Sequence, residues 1–292
     1  MSRGRAIDVV VVPYDSGRRG WRMGAGPLRL IERGLLDRLR DLGLDVRPIE
    51  IELAGGDTGA PKDGAAYALA ADIARAVGQA RDEQRFPLVL SGNCNSSLGT
   101  VAGLGAGRTG VVWFDAHGDF NTPETSPSGF LDGMTLATLT GRCCATEAAR
   151  IGGFAAVADD AVVLVGARDL DAGERVLLER SGVRVIGAGS ATFEELAGAV
   201  EAWPAAIAAA YLHVDLDVLD ASEARVNEYA AAGGLALPDL LACIDAVATH
   251  APLAAAALTA LDPAADEEGR ALAAAVAVIE QIVARAGLVQ HE

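Results

Sequence analysis

The chain predicts an α/β domain built on a parallel sheet with helices on both of its faces, and three observations carry that expectation. Short β-branched runs alternate along the chain with longer segments of helical period. Most of these runs are apolar on both faces, as strands are when helices cover them above and below. No fixed-period repeat, Pro/Ser-rich linker or charge block divides the 292 residues, so a single domain over 1–292 is expected.

The elements follow in order. "IDVVVV" (7–12) is the first strand, and "GPLRLIERGLLDRLRDLG" (26–43) has the apolar spacing of an amphipathic helix that ends at Gly43 as its C-cap. "LDVRPIEI" (44–51), "PLVLS" (87–91) and "GVVWFD" (110–115) are strands, with the helix "DGAAYALAADIARAVGQAR" (63–81) between the first two. "DGMTLATLTG" (132–141) is a helix, then "AVVLVG" (161–166) a strand, and "DAGERVLLERSG" (171–182) a helix closed by Gly182. "VRVIG" (183–187), "AAYLHVDLDV" (209–218) and the weaker "AAALTAL" (255–261) complete eight strands. Helices "TFEELAGAVEAW" (192–203), "LPDLLACIDAVA" (237–248) and "DEEGRALAAAVAVIEQIVARAG" (266–287) fill the remaining connections.

Composition narrows the function classes. A hydrophobic share of 51% supplies a substantial core and excludes disorder. With 24 Lys+Arg against 40 Asp+Glu, the formal charge of −16 argues against nucleic acid and anionic membranes as partners, since both reward basic patches. The apolar run after the charged head "MSRGRAID" is shorter than a signal-peptide core and is broken by Pro13 and Asp15, so the start is read as a mature, cytoplasmic N-terminus. No stretch approaches the roughly 20 apolar residues of a membrane helix. Cys143, Cys144 and Cys243 are read as reduced thiols.

In open parallel sheets ligands bind beyond the carboxyl ends of the strands, and polar residues cluster at four such places. They are "SGNCNSSLGT" after "PLVL", "DAHGDFNTPETSPSGFLDGM" after "GVVWF", "ARDLDAGE" after "VVLVG" and "DLDVLD" after "AAYLHV". If these segments stay extended, residues two apart point the same way. Asp115, His117 and Asp119 then converge, as do Asp215 and Asp217. Five carboxylate and imidazole groups suit a hard or borderline cation such as Mn²⁺, and pairs of such ions share bridging carboxylates, so the inferred site is binuclear.

"DAHGDFN" and "DLDVLD" resemble the two metal-binding signatures of the arginase/agmatinase/formiminoglutamase family, the ureohydrolases. "GAGPLRLIERGLLDRL", "GARDLDAGE" and "GGLALPDLL" extend the likeness over most of the chain. The resemblance implies a three-layer α/β/α fold with a mostly parallel sheet, and a homo-oligomer that is a trimer or hexamer. It also implies two Mn²⁺ ions, and hydrolysis of a guanidino or amidino C–N bond by a metal-bridging hydroxide. Carried over by position, Asp115 and Asp215 bridge the metals, His117 and Asp217 complete one, and Asp119 belongs to the other. Asn121 and Ser128 correspond to groups that hold an α-carboxylate, and Asp171 to one that pairs with an α-ammonium. The same three residues also read structurally, as turn formers and as a helix N-cap with Glu174 completing a capping box.

Three departures from the family pattern bear on substrate and metal. Cys94 and Asn93 in "SGNCNSS" stand where the family's "GGDHS" has a ligand histidine and its neighbouring acid. A thiolate favours Zn²⁺ over Mn²⁺, so weak Mn²⁺ occupancy of that half, or Zn²⁺ in its place, is expected. Asp132 in "SGFLDG" replaces the proton-shuttling histidine, as an acid/base group or a new counter-charge, and also reads as a helix cap. Ala260 in "LTALDP" replaces the guanidinium-holding glutamate. Cys94 together with "GDFNTPET" is similar to the N-hydroxyarginine amidinohydrolase subgroup. The alternatives are hydrolysis of agmatine, a guanidino acid or formiminoglutamate, or a non-catalytic binding protein on the same fold.

Overall fold

The computed structural model describes residues 5–53, 62–105, 107–189 and 192–289; the first part of the charged head, 1–4, lies outside them. Its strands are β1 (Ala6–Val12), the short hairpin β2 (Tyr14–Asp15) and β3 (Arg18–Arg19), β4 (Asp45–Glu50), β5 (Phe86–Ser91), β6 (Thr109–Phe114), β7 (Val162–Val165), β8 (Arg184–Ile186), β9 (Ala209–Asp215) and β10 (Leu253–Thr259). The helices are α1 (Ala25–Glu32), α2 (Leu35–Asp41), α3 (Lys62–Asp82), α4 (Ser96–Leu104), α5 (Thr135–Leu139), α6 (Ala145–Ala148), α7 (Ala172–Glu179), α8 (Thr192–Glu201), α9 (Leu237–His250) and α10 (Arg270–Arg285). No helix among the described residues is long and apolar enough to cross a membrane.

All strands but the hairpin form one eight-stranded sheet, ordered β4-β1-β5-β10-β9-β6-β7-β8. Every ladder in it is parallel. Period-two alternation sends Val9, Leu88, Val112, Leu212 and Leu258 to one face, where they meet α1, α2, α8, α9 and α10. Val10, Val89, Trp113, Tyr211 and Ala257 go to the other face, against α3, α4, α5 and α7. The result is the expected three-layer α/β/α arrangement. Fully burying a Val or Leu contributes about 1.5–3 kcal/mol, and this two-sided core supports a rim of buried carboxylates that carry a desolvation cost.

Local details depart from the sequence reading. The segment 26–43 is two helices, because Gly34 adopts φ 84° between them. Gly43 does take a left-handed conformation, φ 80°, just past α2. Gly182 does not; its N–H instead donates to Asp159 Oδ2 at 2.9 Å. Helix α4 occupies residues read as a loop, since "SSLGTVAGL" has no amphipathic stripe and two glycines. Those glycines serve packing. A Cβ on Gly99 would lie 2.3 Å from the Ala70 carbonyl oxygen, and only its absence lets α4 press against α3.

Candidate metal centre

The first and last strands of the fold leave their carboxyl ends at one rim, and the proposed ligands emerge there from β5, β6 and β9. Asp115 is the residue after β6, and its N–H still donates to Val165 O at 3.0 Å. Trp113 Nε1 donates to its Oδ2 at 3.0 Å, and the His117 N–H to its Oδ1 at 2.7 Å. Asp215 closes β9 and caps a 3₁₀ turn at Leu216–Val218, accepting from the Asp217 N–H at 2.8 Å. Asp217 accepts from the Ala116 N–H at 3.1 Å, tying the loops after β6 and β9 together. Cys94 sits between β5 and α4 and donates through Sγ to Asp215 Oδ2 at 3.0 Å.

Convergence does not come from an extended backbone, as the sequence suggested. Strand β6 ends at Phe114, and Asp119 has φ 49°, so the loop turns in the left-handed region there and leaves Asp119 on the cavity wall, outside the close-set ligand groups that form around Asp115. Asp217 likewise lies in the 3₁₀ turn rather than in β9.

Two groups of ligand atoms result, each with its members within 4.8 Å of one another: Asp115, His117 and Asp217, and Cys94, Asp115 and His213. Asp115 is common to both. His117 Nδ1 lies 3.2 Å from Asp115 Oδ1 and 3.3 Å from Asp217 Oδ2. Asp119 Oδ2 is buried and has no hydrogen-bond partner, although such a group costs about 1–3 kcal/mol when left unsatisfied. An orphaned carboxylate oxygen beside a shared aspartate fits a cation. The donor set of carboxylates, imidazole and one thiol fits a divalent ion of hard or borderline type.

Protein charges alone leave these acids uncomfortable. Burial, then the Asp217 charge, pushes Asp115 up to about 6. Burial also raises Asp119 and Asp215 well above the usual carboxylate range. Burial works against the imidazolium of His117, yet hydrogen bonds and charge from Asp115 and Asp217 lift it to about 12. Asp217 is lowered to about 2 because the His117 interaction outweighs its own burial.

The site opens into a cavity of about 250 Å³ walled by Cys94, Asp115, Asp119, Asp132, Glu174 and Ala260 among others. Asp132 is buried and accepts from Asn93 Nδ2 at 2.7 Å and the Asn95 N–H at 2.9 Å. Burial outweighs those bonds and raises it to about 7. Asn121, Ser128 and Asp171 line the same cavity. Asn121 Nδ2 donates to Asp171 Oδ2 at 2.9 Å, and Asp171 forms the expected capping box with Glu174 at the start of α7. Ser128 stands exposed at the rim, its Oγ accepting from the Phe130 N–H at 3.1 Å.

Several residues in or behind the cavity have contacts that the sequence reading did not assign. Glu174 reaches past its capping role to accept from the Phe120 N–H at 2.8 Å, fastening α7 to the loop after β6. Tyr229 and Phe130 stack with centroids 6.1 Å apart at the mouth, and nothing in their local sequence signals this. His213 was within view. It lies in "AAYLHVDLDV" two residues before Asp215, and period-two alternation puts both on one face.

The sequence model of the arginase family matches residues 5–284. An arginase of Bacillus caldovelox is 32% identical over 297 residues, covering 94% of this chain and 97% of that protein. An arginase of Bacillus subtilis (strain 168) is 30% identical over 294 residues, covering 96% and 98%. The crystal structure of the native Bacillus caldovelox arginase superimposes with a TM-score of 0.83 at 30% identity, over 95% of this chain and 98% of that one.

Proposed function

The chain belongs to the arginase family, and from that premise we propose that it is a metal-dependent hydrolase of the C–N bond of a guanidino or amidino amino acid, N-hydroxyarginine-like or arginine-like. One observation carries the reading: two ligand groups share Asp115 at the floor of an acid-walled cavity. In this reading Asp115 and Asp215 would serve both cations, with His117 and Asp217 on one side and Cys94 and Asp119 on the other. Mn²⁺ suits the nitrogen and oxygen donors, with Zn²⁺ the alternative beside the thiol.

Divalent cations held there would supply Lewis acidity and acidify a water for attack. The chain's own residues do the rest. Asp119, whose Oδ2 has no protein partner and would face a cation, would orient that water toward the amidine carbon through its other carboxylate oxygen. As the oxygen adds and the C–N bond breaks, the departing amine needs a proton. Asp132, raised to about 7 by burial, is poised to deliver it near neutral pH. At the rim, Asn121 and Ser128 receive the α-carboxylate and Asp171 the α-ammonium, neutral donors for the anion and a carboxylate for the cation. The absence of an acid at Ala260 favours a substrate less basic than a full guanidinium, because an unpaired buried charge is costly. A cytoplasmic homo-oligomer, trimer or hexamer, belongs to the same reading.

The test is a screen of guanidino and amidino compounds with Mn²⁺ or Zn²⁺, scoring urea, hydroxyurea and formamide. Turnover of an α-amino acid but not of agmatine supports the proposal. No turnover of any of them sinks it.

A further inference from the structure

His213 has a place in the proposed centre that the family pattern does not give it. The ring is fully buried and stacks on Trp113, with centroids 3.6 Å and planes 19° apart. Ser97 Oγ lies 2.8 Å from Nδ1, and Tyr211 Oη is 2.7 Å from the same Ser97 Oγ. On the other edge, Thr259 Oγ1 lies 3.4 Å from Nε2 and also 3.4 Å from Cys94 Sγ. Ligand atoms of Cys94, Asp115 and His213 lie within 4.8 Å of one another.

We propose that His213 joins Cys94 and Asp115 as a ligand of the cation on the Cys94 side, making a thiolate–imidazole–carboxylate site that selects Zn²⁺ over Mn²⁺. The two halves of the centre then take different metals. The inference rests on the binuclear reading above.

Three features support it. Metal-bound histidines almost always give their second ring N–H to a fixed partner, which sets the tautomer. Ser97 Oγ and Tyr211 Oη offer that partner at Nδ1, and the tautomer with its proton there leaves the Nε2 lone pair on the edge where Thr259 Oγ1 adjoins Cys94 Sγ. The stack on Trp113 fixes the ring plane, so binding costs little side-chain entropy. Finally, sulfur and imidazole together are the donors of zinc sites, whereas His117, Asp217 and the shared Asp115 make the nitrogen and oxygen set of Mn²⁺. Loading exchanges the Cys94 thiol proton, now hydrogen-bonded to Asp215, for the metal; the proton leaves to solvent and no oxidation state changes.

The experiment uses metal-free full-length protein and reads spectra rather than turnover. Co²⁺, a stand-in for Zn²⁺, should give a thiolate-to-cobalt charge-transfer band in the wild type. His213→Gln should keep the band but weaken Co²⁺ and Zn²⁺ binding by about tenfold or more. Because His213 is a core residue, a second variant spares it. His117→Ala, loaded with one equivalent of Zn²⁺, should show one sulfur and one imidazole around the ion by X-ray absorption. Sulfur without imidazole, no sulfur at all, or unchanged affinity in His213→Gln overturns the inference while bound Mn²⁺ leaves the binuclear reading standing. No binding of Mn²⁺, Co²⁺ or Zn²⁺ by the wild type overturns both.

Discussion

Cys94 Sγ donates a hydrogen bond to Asp215 Oδ2 across 3.0 Å, so the thiol proton occupies the side of the carboxylate that a cation would share. A proton there competes with metal, and thiolate is a poor donor for Mn²⁺. Cys94→His should therefore raise Mn²⁺ affinity, by roughly tenfold or about 1.4 kcal/mol. Calorimetric titration of metal-free protein measures it, and unchanged or weaker binding would remove Cys94 from the ligand set.

Asp115 is common to both ligand groups, while Asp215 contacts Cys94 on one side and the Asp217 backbone on the other. Losing either should release both ions. Asp115→Ala and Asp215→Ala are expected to fall from about two equivalents of metal to near zero with the circular dichroism spectrum unchanged. Wild-type metal content in either variant would falsify the shared-ligand assignment.

Acids held above their ordinary values favour the protonated form in the fold. Asp115, at about 6, and Glu174, lifted to about 7 by burial, contribute stability that is complete below their unfolded values near 4 and is lost as pH rises through 6 to 7. His117 has the same sign at higher pH, and Asp217, lowered to about 2, acts only in strong acid. Metal-free protein should thus melt at a lower temperature at about pH 8 than at about pH 5. Saturating Mn²⁺ should reverse the trend, because the ion prefers the carboxylates ionised. Scanning calorimetry with and without chelator separates the two; a Tm of metal-free protein that rises with pH would refute it.

The fold was legible because two-sided apolar strands and helical periods are local patterns, and β1, β5, β6 and β9 carry them plainly. Helix α4 was not, because its glycines answer to α3, a partner the local pattern does not reveal. At the site, "DAHGD" and "DLD" pointed to the rim where Asp115, His117 and Asp217 lie close together, but the backbone route that brings them there was hidden. It runs through the 3₁₀ turn at Asp217, and the left-handed backbone of Asp119 sets that residue apart; residue alternation encodes neither. Glu174 was visible as a capping residue, whereas its bond to the Phe120 N–H belongs to the tertiary fold.

Arg142 links the loop after β6 to the frame behind it. Its guanidinium lies 4.4 Å from the Phe120 ring centroid and binds Asp159 through Nη1 at 2.8 Å and Nη2 at 2.5 Å. The Arg142 hydrogen bond holds the Asp159 carboxyl below its ordinary value, so the pair stabilises the fold above the unfolded value near 3.9 and the benefit is lost as pH falls through the folded one. Both groups are partly exposed, which limits the effect to about 1 kcal/mol. Asp159→Ala should lower Tm at neutral pH and cost less in strong acid, where the carboxyl is protonated in both states. An equal loss at both pH values would point to packing instead of charge.

Ala260 and Asp132 face one cavity and together should set the choice between arginine and N-hydroxyarginine. Ala260 is buried, with φ 65°, and presents a methyl group where a guanidinium would need a counter-charge. Removing one partner of a buried pair commonly costs about 3–5 kcal/mol, so selectivity against the stronger cation spans orders of magnitude unless water reaches the group. The wild type should prefer N-hydroxyarginine, and Ala260→Glu should narrow or reverse that preference by raising kcat/KM for arginine. Asp132 distinguishes two roles. If it moves protons, Asp132→Asn lowers activity on both substrates and removes the limb of the pH profile near 7, where burial sets its titration. If it only supplies charge, the same change hurts arginine selectively and leaves the profile in place. Measuring kcat/KM for both substrates across pH, in the wild type and both variants, decides between them. Arginine preferred by the wild type, with Ala260→Glu neutral, would break the link between the missing acid and substrate choice.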